Sequence, residues 1–451
     1  MPKAPARRRR GRLPKLATLP ALGCQPAPRA LSSSANPASA APASSVYRHA
    51  GFTNFLVARL LAVLATQIQA VVVAWQVYDL TREPIALAYV GLAQFIPMLL
   101  LLLPAGDLID RFSRKPILAS SWAVSTVCAG ALWWLSGHGA AGVNGVGGIY
   151  AVLVLFGCAR AFSAPALQSL LPQIVPREQL AQALAANSML LRVAGIGGPF
   201  LGGLLYAAGG GALTYGVCFI SLGLGTLLLL RVPVARSVAL AAGGTIWQRF
   251  GAGIHLIRSR PIILGTISLD LFAVLLGGVV ALLPVYAHEV LKVGPAGLGA
   301  LRSGMAAGEV ITGFYLAARP FDRHVGARMF WAVAVFGVAN LVFSLSHWFW
   351  LSFIALAVAG AADMVSMYIR GALVQFSTPD EMRGRVNAVN MLFIGSSNEL
   401  GEFRAGSAAH WMGAVPAAVT GAVCTLGVVG LWSWMFKPLR QVDRFEEATH
   451  V

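Results

Sequence analysis

The sequence predicts an all-α membrane protein: twelve transmembrane helices arranged as two pseudo-symmetric six-helix bundles. Three observations carry that prediction. Hydrophobic residues make up 57% of the 451 and charged residues only 11%, against about 25% charged in an average soluble protein. A soluble fold could not cover so much apolar surface with a polar skin. The apolar residues also gather in runs of roughly 20, enough for a helix to cross about 30 Å of hydrocarbon. Finally, the segments between the runs alternate between basic and nearly uncharged, as expected of a chain threading back and forth across a bilayer.

Residues 1–50 are rich in Ala, Pro, Ser and Arg without apolar periodicity, and read as a disordered basic cytoplasmic tail. Their basic residues all precede the first acid, Asp79. The first half, 51–231, holds helices near 52–78, 84–105, 116–136, 148–171, 180–208 and 211–231. A polar cytoplasmic connector, 232–261, follows. The second half, 262–437, holds helices near 262–288, 296–318, 327–346, 349–376, 384–412 and 414–436, and 438–451 forms a C-terminal tail. One set of loops carries Arg111, Arg114, Lys115, Arg231, Arg258, Arg319, Arg328, Arg383 and Arg385; the alternate set carries little beyond Arg82 and Lys292. The positive-inside rule puts the first set, and both termini, in the cytoplasm.

The halves repeat one another. Pro176, Glu178, Ala185 and Asn187 align with Pro379, Glu381, Ala388 and Asn390, and the same register pairs Arg160 with Asp363. Upstream, Asp110-Arg111 aligns with Asp322-Arg323. Parallel six-helix repeats are the architecture of transporters that rock around a site between the halves.

Several function classes are excluded. The net charge of +17 would suggest nucleic acid in a soluble protein, but here it sits in the tail and the cytoplasmic loops. Four of the five cysteines lie inside apolar runs with no metal-type spacing, so neither a metal site nor a disulfide framework is expected. No nucleotide-binding loop, nucleophile elbow or zinc signature occurs, so no enzyme and no cofactor is expected.

The segment Gly106-Asp107-Leu108-Ile109-Asp110-Arg111-Phe112-Ser113-Arg114-Lys115 links helices 2 and 3. Gly106 permits close helix approach. Asp110 suits the positive end of helix 3. Arg111, Arg114 and Lys115 either pair with neighbouring helices in one conformation or simply anchor the loop. In helix 5, Gly198-Pro199-Phe200-Leu201-Gly202-Gly203 combines a close-packing surface with a helix-bending proline. Helices 10 and 11 carry Asp363, Ser366, Arg370, Glu399 and Glu402.

The first segment resembles the Gly-x-Leu-Ala-Asp-Arg-x-Gly-Arg-Lys signature of the major facilitator superfamily, with Ser113 where that family usually has Gly. The second resembles the superfamily's exporter and antiporter motif. The text of helices 10 and 11, with Arg160, Pro165 and Asp270, is similar to the branch of drug and siderophore exporters that includes the enterobactin exporter. The resemblance spans about 50–440 and implies the major facilitator fold, alternating access, efflux, and a cytoplasmic gate held by Asp110 and Arg111. Arg404-Ala405 and Glu309 depart from the branch's pattern.

Ionisable groups inside apolar runs cost about 2.5–3.5 kcal/mol each on insertion scales, so each needs a cavity or a partner. Asp270, Asp363, Arg370, Glu399, Glu402, Arg160 and Glu309 are therefore the candidates for proton coupling and the substrate cavity. Asp363, Ser366 and Arg370 share a helix face, as do Glu399 and Glu402. A carboxylate that gains an arginine neighbour in one conformation and loses it in the other can take up and release a proton. Gln67, Gln69, Trp75 and Gln76 are candidate cavity residues, whereas Trp75, Tyr78, Trp348 and Trp350 near helix ends also suit interfacial anchoring. The expected function is a proton-coupled exporter, an antiporter of a small amphipathic molecule such as a drug or siderophore, acting as a monomer in the cell (inner) membrane. Its partners would be substrate, protons and lipid, with no nucleic acid. An uptake permease, and more remotely a membrane scaffold or receptor, are the alternatives.

Overall fold

The computed structural model describes residues 50–137, 143–234 and 246–449, and no strand occurs among them. The predicted tail before Ala50, the Asp110 and Arg111 side chains and His138 lie outside what is described. Four helices open the first half: α1 (Ala50–Thr81), α2 (Pro84–Arg111), α3 (Arg114–Gly137) and α4 (Val143–Ile174). The helical stretch Leu180–Leu230 breaks at Gly209 and Gly210, the latter with φ of 62°, and so divides into α5 (180–208) and α6 (211–230). Only glycine takes that backbone geometry without strain.

A short helix, α7 (Ile246–Ser259), leads to the second half: α8 (Pro261–Gly277, continuing in tight turns to Val290), α9 (Gly294–Ala318), α10 (Val325–Leu345), α11 (Phe349–Phe376), α12 (Arg383–Met412) and α13 (Ala414–Met435). Nine described stretches are long and apolar enough to cross a membrane, the broken Leu180–Leu230 among them. Helices α9 and α12 are not in that set because they carry Arg302, Glu309, Glu399, Glu402 and Arg404. At 25 and 30 residues they are still long enough, at about 1.5 Å per residue, to span the hydrocarbon. The architecture matches the twelve-helix, two-bundle expectation.

The halves share one turn design. Arg82 between α1 and α2, and Lys292 between α8 and α9, both take φ of 54°. These are the two basic residues singled out in the uncharged loops. Within each half, glycines set the packing. Gly225 of α6 lies against the Ala58 carbonyl of α1, Gly308 of α9 against the Ala357 carbonyl of α11, and Gly360 of α11 against the Met305 carbonyl. Between halves, α5 meets α9 and α2 meets α12. A side chain on Gly203 would come within 2.5 Å of the Pro295 carbonyl oxygen, and one on Gly299 within 2.5 Å of the Pro199 carbonyl oxygen. Nearby, Ser303 Oγ donates to the Ile196 carbonyl at 2.8 Å. The backbone keeps helical dihedrals through Pro199 and departs from them only at Gly209 and Gly210.

Three expectations need correction. The predicted continuous helix 262–288 stops at Gly277, and the chain proceeds through 3₁₀ and π turns. The carbonyls this frees are answered by side chains. Arg404 Nε donates to Leu275 O at 3.1 Å and its Nη2 to Gly278 O at 3.5 Å, while Asn340 Nδ2 donates to Gly277 O at 3.5 Å. A cation at a helix C-terminus also complements the dipole. Second, Trp75 and Tyr78 are not interfacial anchors. They are 6% and 1% exposed, because Trp75 packs between the halves with Val279, Leu282 and Tyr286. Trp348 and Trp350, at 65% and 59% exposed, do suit the interface. Third, Gly106 has open space around it, with nothing within 4 Å of an added Cβ, so the close approach expected there is not made in this conformation.

The connector and the C-terminus are more structured than their composition suggested. Ile257 of α7 packs with Ile263, Val386 and Val389. A five-residue helix, α14 (Lys437–Gln441), follows α13, and Gly326 N donates to Val442 O at 3.0 Å while His324 N donates to Asp443 Oδ1 at 2.9 Å.

Replacing Gly308 with Leu drives a side chain into the α11 backbone. It should destabilise the protein by about 1–3 kcal/mol, read as a lower melting midpoint in detergent, whereas Gly427→Ala, with nothing within 4 Å, should leave the midpoint unchanged. Arg404→Met strands the carbonyls of the α8 break and should cost about 1–3 kcal/mol, measurable in the same assay.

Candidate functional site

A cavity of about 460 Å³ lies where the two halves face each other. From the first half, α1 contributes Gln67 and Gln69, α2 contributes Gly91, Gln94 and Met98, α3 contributes Trp122, and α4 contributes Phe156, Arg160 and Ser163. From the second, the turns after α8 contribute Val280, Ala281, Leu283 and Pro284, α9 contributes Arg302, and α12 contributes Glu399 and Glu402. The volume and the mixture of apolar wall with a few polar groups are those of a small-molecule site.

The charges in this cavity come from opposing halves. Arg160 Nη1 donates to Gln94 Oε1 of the same half at 3.3 Å, and both line the cavity. Glu399 and Glu402, three residues apart on one face of α12, lean towards α2: a Cβ on Gly91 would sit 3.3 Å from Glu399 Oε2 and 3.8 Å from Glu402 Oε2. The bare Gly91 backbone lets them lie close to α2. Arg160 and Arg302 both attract the two carboxylates. Gln69 is 2% exposed, and its Oε1 has no hydrogen-bond partner among the described residues.

The remaining predicted residues gather elsewhere. Asp270 of α8 and Arg370 of α11 form an ion pair inside the second half, 6% and 5% exposed. Asp363 and Ser366 of α11 flank the same place, around a void of about 10 Å³. Glu309 of α9 feels the charges of Asp363 and of Arg192 from α5, which makes it a link to the seam between halves. Arg160, Glu399 and Glu402 are thus brought together in the cavity, and Asp270, Asp363 and Arg370 together behind it. Arg302 was missed by sequence reasoning, although a lone arginine inside an apolar run was the available signal. Of the candidate cavity amides, Gln76 is engaged within the first half, accepting from Tyr215 at 2.7 Å and donating to Ser136 at 3.0 Å.

The loop motif and the helix 5 motif differ in what they touch. Lys115 Nζ caps the end of α6 by donating to Leu230 O and Val232 O at 2.8 and 2.7 Å, a contact within one half. Arg114 opens α3. Gly198 and Gly202 receive Gln67 and Ile68 of α1, and Gly203 receives α9. The side-chain bridges Tyr78–Glu289, Arg82–His288 and Glu83–His410 join the halves at the end of the bundle away from the termini.

The comparisons bear on the family and the fold. The major facilitator family model described as transmembrane secretion effector matches residues 41–450. The enterobactin exporter EntS of Citrobacter koseri is 25% identical over 371 residues, which cover 76% of this chain and 81% of that protein. A bacterial homologue of the iron transporter ferroportin, solved in its inward-facing state, has a TM-score of 0.66 at 18% identity and covers 88% of this chain and 100% of its own. A bacterial homologue of the human lysosomal transporter Spinster, inward-facing and unoccupied, has a TM-score of 0.62 at 16% identity, covering 90% and 98%. The structural likenesses bear on the fold, while the family match extends over nearly the whole chain. The chain belongs to the transmembrane secretion effector family of the major facilitator superfamily and is a multi-pass membrane transporter.

Proposed function

We propose that this transporter is a proton-coupled exporter of a small amphipathic molecule, a drug or siderophore, working by alternating access in the cell (inner) membrane as a monomer. The observation that carries the reading is the cavity in which Arg160 of one half confronts Glu399 and Glu402 of the other. When the halves approach, the arginine favours the charged carboxylates and expels protons. When they part, protonation becomes easier. Proton occupancy and conformation are thereby linked, which is the requirement for driving a cargo against its gradient. The similarity to an enterobactin exporter favours efflux, and Trp122, Phe156 and Met98 beside Gln67 and Gln69 suit a cargo with both apolar and hydrogen-bonding surface.

The alternation of basic loops argues for cytoplasmic termini. In that orientation the Tyr78–Glu289, Arg82–His288 and Glu83–His410 bridges close the outer side, and the open space at Gly106 belongs to a parted cytoplasmic side. Residues 51–231 and 262–437 are then the rocking bodies, 232–261 their cytoplasmic connector, and 1–50 and 438–451 the cytoplasmic ends. Asp110, Arg111, Arg114 and Lys115 are assigned to the cytoplasmic gate, and Gly198, Pro199, Gly202 and Gly203 to the seam that closes over the cargo.

In proteoliposomes carrying a pH gradient, wild-type protein should move cargo against its gradient, and a protonophore should stop it. Movement indifferent to the protonophore would remove proton coupling, and net accumulation inside right-side-out cells would replace export with uptake. Glu402→Gln should lower gradient-driven transport by about tenfold or more, the scale of a coupling free energy of 1–3 kcal/mol, while cargo exchange without a gradient continues. Equal losses in both assays would assign Glu402 to cargo binding or folding rather than to coupling.

A further inference from the structure

The charges behind the cavity do not balance. Asp270 is answered by Arg370, and Glu309 faces Arg192. Asp363, which has Glu309 as an acidic neighbour, is left as a surplus negative charge in the interior of the second half. A buried charge without a counter-charge is strongly unfavourable, so something must neutralise it.

We propose that Asp270, Asp363 and Ser366 form a site for one sodium ion, distinct from the proton-coupling pair in the cargo cavity. The three residues line a void of about 10 Å³ whose other walls are Ala273, Val274, Val333 and Phe336. That volume is close to the smallest that admits a single water-sized body, the size class of a dehydrated monovalent ion. Ser366 is 2% exposed, and its Oγ has no hydrogen-bond partner among the described residues; it is an oxygen ligand waiting in the void wall. Two further oxygens without a hydrogen-bond partner among the described residues lie one helical turn along α8 and α10 from residues of the wall, outside the lining of the void. Thr266 Oγ1 is four residues before Asp270 on α8, and Asn340 Oδ1 is four after Phe336 on α10, at 0% and 1% exposure. The donor set is all oxygen, which selects a hard cation. Its single surplus negative charge matches a monovalent ion and leaves a divalent one over-charged. A proton on Asp363 would cancel the charge but would fill neither the void nor the coordination of the waiting oxygens.

The test is radiosodium binding to the purified full chain in detergent at mildly alkaline pH, with N-methylglucamine as the replacement cation at equal ionic strength. This readout needs no transport and is independent of whether cargo is coupled to protons. The wild-type protein should bind about one sodium per chain, saturably, and should melt higher in sodium than in N-methylglucamine. Asp363→Asn and the gentler Ser366→Ala should each weaken binding by about tenfold or more while eluting as monodisperse folded protein. Absence of saturable sodium binding by folded wild-type protein would overturn the site, as would undiminished binding in both variants. Stabilisation by acid without any response to sodium would assign the position to a proton instead.

Discussion

Inside an apolar bundle, every charge and every unpaired carbonyl has to be answered from within the bundle, because no water is there to do it. That requirement shapes the second half of this protein. Ending α8 at Gly277 exposes carbonyls at membrane depth, and Arg404 and Asn340 cover them. The turns after the break then carry Val280, Ala281, Leu283 and Pro284 to the wall of the cavity between the halves. A continuous helix would have needed no such arginine, and it would have presented a different wall. Arg404, a departure from the pattern of the exporter branch, is thereby accounted for as a helix cap.

The same requirement sorts the remaining charges by what moves. Arg370 and Asp270 pair within the second half, so rocking of one half against the other leaves their distance unaltered. Arg160 and the Glu399/Glu402 pair sit on opposite halves, so rocking changes their separation directly. In the proposed mechanism, a cross-half arrangement is what lets that motion alter the energy of a proton through the arginine. α5 and α9 touch backbone to backbone at Gly203 and Gly299, a contact compatible with the proposed rocking.

Much of this was legible in the sequence because membrane helices are written in long apolar runs and basic loops. The break between α5 and α6 was readable at Gly209 and Gly210, and the pairing of Glu399 with Glu402 followed from helical spacing. The break in α8 was not readable, because Gly277, Gly278 and Pro284 sit in uninterrupted apolar text, and membrane helices tolerate such residues as long as neighbours satisfy the backbone. Those neighbours, Arg404 and Asn340, lie far along the chain. Trp75 and Tyr78 misled for a related reason: position near a helix end suggests an interface, but residues of the opposing half pack on both, Tyr286 among those at Trp75 and Val285 at Tyr78. The α7 helix was hidden by a polar composition, since its buried stripe is only Ile254, Ile257 and their neighbours. Pairing of Arg160 with Asp363 by repeat register marked two equivalent positions, yet the first faces the cavity and the second lies behind it.

That last difference bears on how a duplicated fold comes to carry direction. Two identical halves would place like charges at related positions, and rocking would then change repulsions symmetrically. Here the first half brings an arginine and glutamines to the cavity, and the second brings both carboxylates together with Arg302. In the proposed mechanism the repeat would supply the motion and the unlike residues an interaction energy that depends on protonation. Gly91 is where the two meet: a Cβ there would make a tight contact of 3.3 Å with Glu399 Oε2 and an ordinary one of 3.8 Å with Glu402 Oε2. The small residue of the first half keeps α2 close to the acids of the second.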